Sequence, residues 1–120
     1  MLLWAAVGSH RLPGEAGRLI EERANTLVFS VASLWEIAIK NGLSRPDFSI
    51  DLKNLRLSLH GHGYQELPVT AAHTLALAGL PPIHRDPFDR MLVAQAMTEG
   101  FELITADRTV ALYGPPVRLV

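Results

Sequence analysis

Residues 84–104 restrict the fold more than any other stretch, because they specify both ends of a helix and the strand after it. In His84-Arg85-Asp86-Pro87-Phe88-Asp89-Arg90, Asp86 reads as the N-cap and Pro87 as the first helical residue, where a missing N–H costs nothing. The helix predicted over 87–99 stops at Gly100, a residue suited to the left-handed conformation at a helix end. Phe101-Glu102-Leu103-Ile104 then reads as a buried strand, and Thr105-Ala106-Asp107 as a loop at its carboxyl end.

The rest of the chain repeats this alternation. The first segment, to about Val7, reads as a short helix, 8–14 as a break, and 15–23 as a helix with Leu19 and Ile20 on its apolar side. Thr26-Leu27-Val28-Phe29-Ser30 is a short β-rich run suited to a buried parallel strand. Ser30 or Ser33 caps a helix over 34–40, and Gly42 ends it. A loop with Pro46 follows, then a helix over 52–59, a brief strand over 66–69, and an alanine-rich helix capped by Thr70. Pro68 fits an edge or a strand end, and a final strand is expected over 117–120. Strands alternating with helices give an α/β domain with a mainly parallel sheet. Such sheets bind ligands beyond the carboxyl ends of their strands, where 30–36 and 105–107 both lie.

Composition narrows the function. A chain of 120 residues is one domain, 1–120, and with 48% hydrophobic residues it is globular rather than disordered. No apolar run reaches the roughly 20 residues that cross a bilayer, and the apolar start has no basic segment before it. Neither a membrane span nor a leader is expected. Zero cysteines exclude disulfides and zinc–thiolate sites and agree with a cytoplasmic location. A formal net charge of −1 leaves nucleic-acid binding to local arginines, of which Arg45, Arg85, Arg90 and Arg108 are candidates.

The chemistry-bearing residues are acids at element ends. Asp89 stands in the first turn of its helix, Glu36 on an earlier helix, and Asp107 just after a strand. Three carboxylates on separate elements suit Mg²⁺ or Mn²⁺, because hard cations take oxygen ligands. Each acid also has a plainer reading: Glu36 as an i,i+4 partner of Lys40, Asp89 as an aid to the cap, Asp107 as an N-cap itself. Asp86 is assigned to capping. Trp4 and Trp35 read as core residues, His60-Gly61-His62 as an exposed turn, and His84 as a loop histidine at an element boundary.

Three segments together carry a resemblance: Ser33-Leu34-Trp35-Glu36-Ile37-Ala38-Ile39-Lys40; His84 to Arg90 with Ala94-Gln95-Ala96 behind it; and Leu103-Ile104-Thr105-Ala106-Asp107-Arg108. In this order and spacing the chain resembles the PIN-domain ribonucleases, and most of all the VapC-type toxins of bacterial toxin–antitoxin pairs. The resemblance implies a three-layer α/β fold with a mainly parallel sheet flanked by helices. It implies Glu36, Asp89 and Asp107 as catalytic metal ligands and Thr105 as a hydroxyl that orders a metal-bound water or a neighbouring carboxylate. Mg²⁺ or Mn²⁺ would be the cofactor, RNA the substrate, with Arg85, Arg90 and Arg108 on its phosphates. A VapB-type antitoxin and a second copy of the chain would be the partners, the former in a groove formed by 52–59 and 45–48.

The family's opening strand, with its terminal aspartate, has no counterpart ahead of Leu2-Leu3-Trp4. The first, central strand is therefore expected to be missing and the nuclease impaired, with a natural start upstream of Met1 favoured over a real truncation. A catalytically inactive PIN-like module that binds RNA or antitoxin is the alternative, and a metal phosphatase acting on a small ester a third.

Overall fold

The computed structural model describes residues 2–5, 26–43 and 49–120. The helix expected over 15–23, the break over 8–14 and the loop over 45–48 lie outside the described residues.

Five parallel strands form one sheet in the order β3-β2-β1-β4-β5. They are β1 (Leu2–Ala5), β2 (Thr26–Ser30), β3 (Gln65–Leu67), β4 (Glu102–Thr105) and β5 (Val117–Leu119). Position β1 corrects the sequence reading twice. The segment read as a helix is a strand, and the central place expected to be empty is filled, with Leu3 opposite both Leu27 and Glu102. A short apolar run fits a buried helix and a buried strand equally by its period. What decides between them is the sheet: without β1, the facing edges of β2 and β4 would bury unpaired N–H and C=O groups. The other part of the expectation stands, since Leu-Leu-Trp-Ala carries no carboxylate.

Five helices accompany the described strands: α1 (Val31–Gly42), α2 (Leu52–Gly61), α3 (Ala71–Ala78), α4 (Pro87–Glu99) and α5 (Arg108–Ala111). Ser30 ends β2 and caps α1 at once, its side chain accepting from the Ala32 N–H at 3.0 Å. Helix α4 is the centre of the packing, touching α1, α3, α5 and β4. Its inward face, Leu92, Val93 and Ala96, joins Val28, Phe29, Phe101, Leu103 and Val110 in the core. Gly100 closes α4 at φ +74°, as the sequence requires. Strand β3 lies at the sheet edge with Pro68 just beyond it, where no ladder bond is lost. Among the described residues no helix is long and apolar enough to cross a membrane.

Candidate metal centre

Two helix starts and one strand end converge beyond the carboxyl edge of the sheet. At the start of α4, Asp86 Oδ1 accepts from the N–H groups of Phe88 at 2.8 Å and Asp89 at 3.2 Å, so its capping role is confirmed. That cap uses one oxygen of Asp86, while the Asp89 carboxylate faces the site with Oδ2 3.5 Å from His84 Nε2. After β4, the Thr105 hydroxyl accepts from the Asp107 N–H at 3.0 Å and turns the chain. Asp107 then divides its two oxygens. Oδ1 caps α5 through Thr109 at 2.8 Å and Val110 at 3.3 Å, while Oδ2 reaches His84.

His84 joins the two acids. Its Nε2 lies 3.3 Å from Asp107 Oδ2 and 3.5 Å from Asp89 Oδ2. One ligand atom from each of these three residues falls within 4.8 Å of the others. Sequence reasoning set His84 aside as a boundary histidine. A histidine directly ahead of an acid-rich cap was the available signal, but which way its ring turned depended on the fold.

Asp89 is the electrostatic focus. Burial pushes its carboxyl up to about 6; the negative charge of Asp86 adds to the rise, His84 opposes it, and Glu36 and Asp107 add lesser contributions. Glu36 thus bears on Asp89 through space while its own nearest cation is Lys40, at 3.6 Å one helical turn away. Asp107 behaves in the opposite sense. Burial works to raise it, but the N–H groups of Val110 and Thr109, with His84, outweigh that and hold its carboxyl below the usual range. Adjacent acids with values pushed apart are a common mark of functional sites.

The arginines divide. Arg85 and Arg108 are exposed beside the acids in sequence. Arg90 is turned away, its Nη2 donating to the Leu77 and Leu80 carbonyls at 3.4 and 3.3 Å, where it caps the end of α3. The guanidinium offered to RNA in the sequence reading is thus occupied by the fold. Trp35, expected in the core, is 62% exposed. The Thr105 hydroxyl accepts from the Asp107 backbone and keeps its own O–H as a donor.

The donor set fits a hard divalent cation. Two carboxylates meet, and the half-buried Asp89, whose ionised form is disfavoured by burial and neighbouring acids, gains most from a positive ion; Glu36 stands outside this three-residue group and acts on Asp89 only through its charge.

The family model described as PIN domain matches residues 2–114. No curated protein matches the sequence. Among solved structures, the chain is similar to one in the VapBC2 complex of Rickettsia felis, bound to a DNA fragment from their promoter. The TM-score is 0.67 at 15% identity, covering 100% of this chain and 98% of that one. A chain of a toxin–antitoxin complex from Klebsiella pneumoniae is similar with a TM-score of 0.57 at 14% identity, over 87% of this chain and 80% of that one. At these identities the likeness is one of fold.

Proposed function

The chain belongs to the PIN domain family, and on that premise we propose that it is a metal-dependent endoribonuclease of VapC type, restrained by an antitoxin. The observation that carries this reading is the convergence of Asp89, Asp107 and His84, with one ligand atom of each within 4.8 Å of the others beyond the carboxyl edge of the sheet. Burial and the negative charges of Asp86, Glu36 and Asp107 raise Asp89 to about 6, a cost that a bound cation would relieve.

Asp89 and Asp107, with Glu36, would hold Mg²⁺ or Mn²⁺. Such an ion supplies a lowered water pKa and neutralises charge developing on the attacked phosphorus. The protein's own part is positional. The Asp107 cap fixes one carboxylate on the end of β4, and the Asp86 cap presents the other from the first turn of α4. Arg85 and Arg108, both exposed, would take phosphate oxygens by charge-assisted hydrogen bonds. Hydrolysis would leave a 3′-hydroxyl and a 5′-phosphate. Because β1 brings no acid, the cation affinity should be weak and cleavage slow.

That same absence favours the second reading, a module that binds RNA or antitoxin without cutting. Trp35 and Ile39 stand exposed at successive turns of α1, Leu43 just after its end, and Leu57 on α2, a surface suited to the apolar face of an antitoxin helix. Pairing with a second copy and a cytoplasmic location are expected on the family premise.

Incubation of the purified chain with structured RNA and millimolar Mn²⁺ tests the two readings. Cleavage that stops with EDTA and with Asp89→Asn supports the nuclease. Intact RNA at every metal concentration, with RNA retained in a shift assay, selects the binding module. Cleavage by Asp89→Asn at the unaltered rate refutes the site.

A further inference from the structure

His84 is held from three sides. Its backbone N–H donates to the Tyr113 hydroxyl at 3.1 Å, which ties the residue to the segment after α5. Its ring Nδ1 accepts the Asp86 N–H at 3.0 Å. Its ring Nε2 faces Asp107 Oδ2 and Asp89 Oδ2. A ring nitrogen that accepts from an amide carries no proton, so the neutral imidazole bears its hydrogen on Nε2. A protonated nitrogen has no lone pair left for a metal ion. The cluster therefore looks like a three-ligand set but contains two acceptors and one donor.

We propose that His84 is a positioning residue: locked in one tautomer by the Asp86 amide, it donates from Nε2 to the Asp89 and Asp107 carboxylates and sets their spacing for a divalent cation without binding that cation. This rests on the reading that Asp89 and Asp107 hold the ion. The side chain is suited to the task because it is only 17% exposed and cannot swing out without breaking its bond to the α4 cap. Two mutually repelling carboxylates, one on a helix start and one after a strand, have no other shared donor among the described residues. Removing such an outer partner of metal ligands costs about 10–100-fold in affinity.

Two side chains separate the two ends of the ring. In His84→Asn the amide oxygen can still accept the Asp86 N–H, but nothing reaches the acids. In His84→Gln an N–H donor is returned near the Nε2 position. Mn²⁺ affinity of the full chain, read by electron paramagnetic resonance, should fall about 10–100-fold in His84→Asn and recover to within about threefold of the starting protein in His84→Gln. Both should melt as cooperatively as the starting protein by circular dichroism. Long-range ¹H–¹⁵N spectra should place the His84 proton on Nε2 both without and with Mg²⁺. A proton that moves to Nδ1 on adding Mg²⁺ makes His84 a ligand and overturns the proposal. Undiminished affinity in His84→Asn also overturns it, while loss of binding in Asp89→Asn under the same conditions keeps the cation site. Binding that is equal in Asp89→Asn and the starting protein, or absent from both, defeats the underlying reading and the proposal with it.

Discussion

Trp35 on α1 meets Phe88 on α4 edge to face, with ring centroids 5.0 Å apart and planes at 76°. Each ring immediately precedes a site acid, Glu36 and Asp89. The aromatic contact packs together the two helices that carry these acids. It also explains why a tryptophan that is 62% exposed is nonetheless ordered against a neighbour. Such pairs contribute about 0.5–1.5 kcal/mol beyond area burial. A double-mutant cycle of Trp35→Ala and Phe88→Ala in urea should return a coupling in that range; independent, additive losses would dismiss the pair as a clamp.

Asp89 should make the metal-free protein less stable as the pH rises. Its folded value, about 6, lies above the ordinary value near 4, so the folded chain binds the extra proton between them. Stability from this group is therefore fully present below about pH 4 and lost as the pH climbs through about 6. With the side chain 33% exposed, solvent screening reduces the effect to about 1–2 kcal/mol. Asp89→Asn in EDTA should be more stable than the starting protein by that amount at pH 7, and by much less near pH 4. Equal stabilities at pH 7 in urea titrations would contradict it. A residue that costs stability without metal is suited to being kept for metal.

Asp107 has separable structural and chemical roles. Asp107→Ala removes the α5 cap and should cost about 1 kcal/mol in thermal or urea unfolding. Asp107→Asn keeps an oxygen for Thr109 and Val110 and should cost little. Both should lose Mn²⁺ binding. Retention of binding by the asparagine variant would reduce Asp107 to a cap.

His73 is the counter-case, a buried histidine remote from the acids. Fully enclosed, it accepts from the Thr70 N–H through Nδ1 at 3.0 Å and donates from Nε2 to Glu99 Oε1 at 2.7 Å. The bond ties the start of α3 to the last turn of α4. His73→Leu removes both bonds and should destabilise by about 1–3 kcal/mol, while the folded fraction keeps its Mn²⁺ affinity. A changed affinity in folded protein would show that α3 also shapes the site.

Local chemistry was legible wherever a residue's role is played out within a few positions. Asp86, Pro87 and Gly100 bound α4 as read, because caps are local hydrogen bonds and backbone angles. Ser30 and Thr70 likewise cap the helices that follow them. Trp35 and Arg90 were misplaced because hydrophobicity and charge describe a side chain without saying where it points. The last turn of α3 claims the Arg90 guanidinium, and Phe88 holds Trp35 at the surface. Leu2–Ala5 could not be read at all from four apolar residues.

The order of strands and helices from Thr26 onward, the capped ends of α4 and the candidate acids were determined by sequence alone, since each depends on neighbours along the chain. Only the folded sheet decided that Leu2–Ala5 is its central strand, that His84 turns its Nε2 toward both acids, and that Asp89 is buried enough for its carboxyl to rise. Those outcomes depend on long-range pairing and on burial, and both arise only when distant segments share one core.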